Sequence, residues 1–277
     1  MTAAFTYTCV GPSCAWPTAG RATACHRVDA GGGTLLVDLG HGALQVLRER
    51  GEDLGALAGV LLTHLHLDHW ADLVPLVWAR TFELAVREPL TVVVPEGQAE
   101  RLRDVLRRLD AEQALDGIAL RELEAGGAGG GPGSASGKDP AAPGATLRVG
   151  RLTATAAALP HSPRMPVNAY RLTHDDGRSL VLGGDCGPND VLGPFAAGAD
   201  LLVLEASVPA PLPGHLTPGQ AGEVIARAAP GAALLSHYLA PLGGPPQLAL
   251  ARAACPGVPV AFATPGAAVE VGGAGGG

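Results

Sequence analysis

Short apolar runs punctuate the chain at residues 34–38, 60–63, 91–94, 152–159, 180–182, 201–204 and 233–236. Gly, Pro or Asp bounds these runs, as it often bounds strands buried in a sheet. Between them the periodicity changes. Over residues 96–109, Leu102, Val105, Leu106 and Leu109 recur at helical spacing with arginines on the opposite face. Residues 218–228 open after Thr217, an N-cap residue followed by Pro218 at the first helical position. Residues 70–80 and 247–254 complete the helical set. The alternation predicts an α/β fold with sheets buried beneath helices.

The chain has 277 residues, 47% of them hydrophobic, enough for one large core. A single domain over residues 1–271 is expected. Residues 126–144, rich in Gly and Pro, cannot bury enough apolar surface to order themselves and read as a flexible surface insertion. The glycine tail 272–277 is expected to be disordered. The formal net charge of -7 makes nucleic acid and anionic membrane poor default partners. Lys138 is the only lysine and sits in the insertion, which argues against Schiff-base or P-loop chemistry. Cys9, Cys14, Cys25, Cys186 and Cys255 contain no Cys-x-x-Cys pair, so neither a disulfide framework nor a cysteine zinc finger is expected. No secretory leader and no membrane-spanning run is visible, and a soluble cytoplasmic protein is the expectation.

One segment carries concentrated chemistry. Thr63-His64-Leu65-His66-Leu67-Asp68-His69 follows the apolar run Val60-Leu61-Leu62 directly. Two histidines two apart can point the same way from an extended segment. An Asp and a third His follow before the predicted helix. Four metal-competent side chains in six residues are difficult to explain as packing, and imidazole with carboxylate is a ligand set for zinc. Further candidates end apolar runs downstream: His161, Asp185 and His237. Strand ends are where sites assemble in α/β folds.

This pattern resembles the metallo-β-lactamase-fold hydrolases, with a complete His-x-His-x-Asp-His motif and the later His, Asp and His in the family's order. Within them the chain is similar to the ribonuclease Z-like branch. That likeness rests on the opening Gly11-Pro12-Ser13-Cys14-Ala15-Trp16-Pro17, on Val37-Asp38-Leu39-Gly40, on Glu205-Ala206-Ser207 and on His215-Leu216-Thr217. The resemblance implies a four-layer αββα sandwich. It implies one metal on His64, His66 and His161, another on Asp68, His69 and His237, and Asp185 bridging both. Two zinc ions, with manganese or iron as substitutes, would share a hydroxide that attacks the substrate. His215 is the candidate general acid, because His is the side chain closest to neutral pKa. Glu205 would orient it, and Asp68, His215 and Glu205 form the expected catalytic set. Asp38 is expected to shape the site floor through hydrogen bonds. His26, His41 and His174 are expected to be structural, and Cys186 to have no chemical role. Homodimers are common in the branch.

The resemblance to a transfer-RNA 3′-end nuclease weakens at one place. Such enzymes usually carry a protruding arm between the fourth His and the bridging Asp. Here 23 residues separate His161 from Asp185, reading as strand, turn (Asp175-Asp176-Gly177) and strand. Acidic charge and 4% aromatic content also give little grip on RNA. The expected activity is a phosphodiesterase on a small or cyclic phosphodiester. Ribonuclease Z activity, lactone or thioester hydrolysis, and metal binding without catalysis are the alternatives.

Overall fold

A computed structural model describes residues 5–126, 144–239 and 242–273. Nearly all of the predicted insertion, residues 127–143, lies outside the described residues, as does the tail from residue 274. Among the described residues the strands form two seven-stranded sheets. The first runs in the order β14 (Ala268–Glu270), β1 (Thr6–Gly11), β2 (Cys25–Asp29), β3 (Thr34–Val37), β4 (Leu57–Leu61), β5 (Leu90–Pro95) and β6 (Ile118–Leu123). The second runs β13 (Val260–Phe262), β12 (Ala232–Ser236), β11 (Leu201–Glu205), β10 (Ser179–Leu182), β9 (Met165–His174), β8 (Leu152–Ser162) and β7 (Leu147–Val149).

Both sheets share one plan. An antiparallel meander, β1-β2-β3 or β7-β8-β9-β10, passes into parallel strands, β4-β5-β6 or β11-β12-β13. No repeat is legible in the sequence, so the correspondence lies in topology alone.

The apolar runs are continuous because both strand faces are buried, and side chains alternate between faces with period two. Leu35 and Val37 point into the core between the sheets, while Leu36 points to the outer helices. Leu61 lies between the sheets, with Val60 and Leu62 facing outward. On the second sheet Leu201 and Val203 face inward, and Leu202 and Leu204 face out. Helices α1 (Ala43–Glu49), α2 (Leu73–Trp78) and α3 (Ala99–Arg108) contribute Leu47, Leu73, Leu76, Leu102 and Leu106 to one outer core. Helices α4 (Leu192–Phe195), α5 (Pro218–Ala228) and α6 (Pro245–Ala254) cover the other sheet through Leu192, Val224, Ile225 and Ala251. Three cores separate four layers, an αββα sandwich.

Helix α5 begins where its sequence signals place it. Thr217 Oγ1 accepts from Gln220 N at 3.3 Å, and Gln220 Oε1 accepts from Thr217 N at 3.0 Å, a reciprocal cap. Two predicted helices are shorter than their patterns. Residues 70–72 are tied elsewhere: Asp72 N donates to the Leu39 carbonyl at 3.1 Å and the Asp72 carboxylate accepts from Leu44 N at 2.8 Å. Helix α2 therefore starts at Leu73 and ends at Trp78, followed by a wider helical turn, Ala79–Glu83. Helix α3 starts at Ala99 because Gly97 (φ 76°) turns the chain and the Glu122 carboxylate caps Ala99 N at 2.8 Å. All five cysteines are free thiols and buried. No helix among the described residues is long and apolar enough to cross a membrane.

Leu61 is fully buried where the two sheets meet. Leu61→Ala is expected to lower the free energy of unfolding by about 2–5 kcal/mol. The measurement is the urea midpoint at unchanged slope.

Candidate metal centre

The C-terminal ends of the parallel strands open on one edge, where the two sheets meet. β3 ends into Asp38 and β4 into the segment 63–69. β10 ends into Asp185, β11 at Glu205 and β12 into His237. His161 comes from the hairpin of β8 and β9. These side chains converge. Four groups of donor atoms lie within 4.8 Å of one another: His64, His66 and His161; His64, His69 and Asp185; Asp68, His69 and His237; and His161, Asp185 and His215.

Close approaches of backbone hold the segment 64–69 in place. Leu39 N donates to the His69 carbonyl at 2.7 Å. A Cβ on Gly40 would lie 1.9 Å from the Asp68 carbonyl oxygen, so the chain passes there only as glycine. On the far side, Gly214 (φ 86°) brings its backbone against His161, and a Cβ there would stand 2.5 Å from the His161 carbonyl. Asp38 (φ 59°) and His237 (φ 46°) both occupy the left-handed region, which turns each out of its strand.

Hydrogen bonds around the cluster decide which ring nitrogen faces inward. The Asp38 carboxylate accepts from Thr63 N (2.7 Å), from Thr63 Oγ1 (2.9 Å) and from His69 Nδ1 (2.8 Å). Thr63 has one hydroxyl proton and gives it to Asp38. Its oxygen, 3.1 Å from His64 Nδ1, must then accept from that ring. His64 Nε2 is left with its lone pair. His161 Nδ1 donates to the Gly214 carbonyl at 2.7 Å, which leaves Nε2 bare as well. Both bare nitrogens face His66 Nδ1, at 2.9 and 3.0 Å. Ser207 Oγ donates to the His237 carbonyl (2.6 Å) and accepts from His237 Nδ1 (2.9 Å), so His237 Nε2 faces Asp68 Oδ2 at 3.3 Å with its lone pair. His69 Nε2 lies 3.5 Å from both Asp68 Oδ2 and Asp185 Oδ2. Asp185 Oδ2 is also 3.9 Å from His161 Nε2, which puts its carboxylate between the two triads.

Lone pairs and carboxylate oxygens aimed at one another repel unless a cation lies among them. Two of these atoms, His69 Nε2 and Asp185 Oδ1, are buried without a hydrogen-bond partner among the described residues. The donor set and these orphaned atoms fit metal ions. The protonation equilibria divide the rings: those against the carboxylates are raised, and the one among other rings is lowered. Burial, and then its neighbouring imidazoles, push His64 well down. Burial also depresses His69, yet Asp185 and Asp38 outweigh it and raise this ring well above its ordinary value. His237 is raised against burial by Asp185 and Asp68. Asp68 is held down to about 2, against burial, by His237 and His69.

A second pair stands beside the cluster. Both Glu205 oxygens lie within 3.1–3.2 Å of His215 Nδ1, so His215 Nε2 is the free end of the ring. Glu205 is buried and also accepts from Cys186 N at 2.7 Å and Leu216 N at 3.3 Å. Burial lowers the His215 pKa, but the Glu205 hydrogen bond and charge overcome it and raise the group. Three expected bystanders belong to none of the donor groups. His26 bonds Tyr7 Oη at 3.0 Å, His174 pairs with Asp176 at 2.9 Å, and the His41 carbonyl accepts from Thr23 N. Sequence reasoning assigned no role to Thr63, Ser207 or Gly214. The first two were visible within the motifs, but nothing in a sequence marks which hydroxyl will meet which ring.

An αββα sandwich with a His/Asp donor cluster where both sheets present their strand ends defines a metal-dependent hydrolase. The chain belongs to the metallo-β-lactamase superfamily: the family model for the β-lactamase superfamily domain matches residues 28–238. Ribonuclease Z of Mycobacterium sp. (strain KMS) is 33% identical over 261 residues, covering 85% of this chain and 84% of that protein. The metallo-β-lactamase fold protein YhfI from Bacillus subtilis superposes with a TM-score of 0.76 at 24% identity, over 97% of this chain and 99% of that one. The short form of human tRNase Z superposes with a TM-score of 0.74 at 20% identity, over 96% and 99%.

Thr63→Val keeps the shape of the side chain and removes the hydroxyl between Asp38 and His64. Metal affinity is expected to fall by about 10- to 100-fold. Competition against a chromogenic chelator measures it.

Proposed function

We propose that the protein is a dinuclear metal phosphodiesterase acting on a small or cyclic phosphodiester. His64, His66 and His161 would hold one ion, Asp68, His69 and His237 the other, and Asp185 would bridge them. Imidazole and carboxylate donors favour zinc, with manganese or iron as substitutes. When bound, such a pair supplies an activated water at neutral pH and neutralises charge on the phosphoryl oxygens. The observation that carries the reading is the fixed set of inward ring nitrogens. Thr63, Gly214, Ser207 and Asp38 each take the proton-bearing nitrogen of a ring and leave the other free.

The remaining residues do the proton work. Glu205 holds His215 Nδ1–H, so the proton on His215 Nε2 is available to the departing alkoxide. The Glu205 hydrogen bond and charge raise the His215 pKa against burial, which favours the proton-bearing ring. Asp68, beyond its place in the donor set, would orient the attacking water.

Transfer-RNA 3′ processing is the second reading, supported by the length over which the mycobacterial ribonuclease Z aligns. Against it stands the stretch between His161 and Asp185. It consists of the β8–β9 turn, β9, the turn at 175–177 and β10, with no inserted arm. Bis-p-nitrophenyl phosphate, a precursor transfer RNA and a lactone, offered to metal-loaded protein, separate the readings. Turnover of the first without cleavage of the second supports a small diester. Lactone turnover alone would replace it.

Two variants test the residue roles. Asp185→Ala is expected to lose metal and hydrolysis together, as read by elemental analysis and by rate. His215→Ala is expected to retain the metal content of the wild type and to slow diesters with poor leaving groups about 100-fold or more, good ones far less. Equal slowing across leaving groups would remove the general-acid role.

A further inference from the structure

Leu62 and Thr63 join β4 to the segment 64–69, and all four of their backbone polar groups are engaged. The two N–H groups bond within the first sheet. Leu62 N donates to the Val93 carbonyl at 2.8 Å, and Thr63 N donates to the Asp38 carboxylate at 2.7 Å. The two carbonyls bond across to the second sheet. Tyr170 Oη donates to the Leu62 carbonyl at 2.7 Å, and Asn168 N donates to the Thr63 carbonyl at 2.9 Å. Both partners lie on β9.

Side chains on β9 alternate between faces. Val167 and Ala169 enter the outer core, while Tyr170 and Leu172 enter the core between the sheets. Tyr170 is fully buried there, where a hydroxyl is costly unless it is bonded. Burial, and then the charge of Asp38, push the Tyr170 phenol up, so it stays a donor.

Strand β9 also supports the other half of the cluster. It pairs with β8 in the hairpin that carries His161, with Ala156 opposite Tyr170 and Ala158 opposite Asn168. His161 Nε2 meets His66 Nδ1 at 3.0 Å, and these two rings group with His64 although they come from different sheets. Their spacing depends on how the end of β4 is set against the β8–β9 hairpin. Apolar packing between the sheets is non-directional and sets no such register. The bonds to Leu62 and Thr63 are directional. They also hold the backbone of Thr63, whose hydroxyl stands between Asp38 and His64.

We propose that Tyr170 is a positioning residue for the segment 64–69, clamping the end of β4 to the hairpin that carries His161. This rests on the assignment of His64, His66 and His161 to one metal ion.

Tyr170→Phe removes the hydroxyl alone. Zinc affinity, measured by competition with a chromogenic chelator, is expected to fall about tenfold or more. Leu106→Ala, in the outer core beneath α3, supplies a variant of lower stability with the clamp intact. Its urea midpoint should fall at least as far as that of Tyr170→Phe, while its zinc affinity stays within about twofold of the wild type. Hydrogen exchange of the metal-free wild type needs no variant: the Leu62 and Thr63 amides should exchange only with the slowest amides of the core. Unchanged zinc affinity in Tyr170→Phe, an equal loss in Leu106→Ala, or fast local exchange at Leu62 and Thr63 in the wild type overturns the proposal. Failure of the wild type to take up zinc would overturn the metal assignment instead, while the exchange pattern still decides whether the clamp holds.

Discussion

The single proton on the Thr63 hydroxyl governs much of the candidate centre. It goes to Asp38, which already accepts from the Thr63 backbone and from His69. The hydroxyl must then accept from His64, and both rings turn their bare nitrogens inward. Two rings on one loop are therefore set by one residue at the end of β3 and another just past β4. Ser207 repeats the device on the other sheet: its proton goes to a backbone carbonyl, and its oxygen receives the proton of His237. Buried polar groups are costly when half satisfied. Here the outward nitrogens of His64, His69, His161 and His237 all have partners, while the inward atoms of His69 and Asp185 do not. That division gives a buried polar cluster its affinity for cations.

The paired topology explains why donors so distant in sequence meet. Each sheet passes from an antiparallel meander to parallel strands, and each puts a carboxylate just past the last meander strand: Asp38 after β3 and Asp185 after β10. The next strand in each half delivers the neighbouring groups, the 64–69 segment after β4 and Glu205 at the end of β11. Packing the two inner faces together through residues such as Leu61 and Val203 brings these ends to one edge. The core between the sheets is thus also the positioning device for the site.

Much of this was legible in the sequence because the strands are buried on both faces. Runs such as Val60-Leu61-Leu62 and Leu201-Leu202-Val203-Leu204 have no polar face to confuse them with helix surface, and each ends in a residue of the cluster. Strands β1 and β2 were harder to read, since Thr8, His26 and Arg27 interrupt their apolar pattern, and β7, β13 and β14 are three residues long. The αββα layering came from resemblance; periodicity supported only α/β. Helix ends were misplaced where a tertiary bond outweighed the local pattern, as when Asp72 binds Leu39 and Leu44 instead of extending α2. The roles of Ser207 and Gly214 are not legible for a similar reason: a hydroxyl or a carbonyl becomes informative only when the ring it faces is known.

Chains that share this sandwich can act on substrates of very different size, because the donors sit on strand ends and the substrate meets loops. In this chain the loops are short on the side of His161. The β8–β9 turn spans only Pro163 and Arg164, and the connection from β9 to β10 turns at Asp175–Gly177. Neither segment can reach along an extended polymer. By contrast, the loop from Pro12 to Thr23 is longer, internally hydrogen-bonded, and joined to Tyr238 next to His237. The proposed preference for a small diester rests on this difference between the loops. The overall charge bears on the same question: a protein of net -7 gains little from the long-range attraction that a polyanion would require.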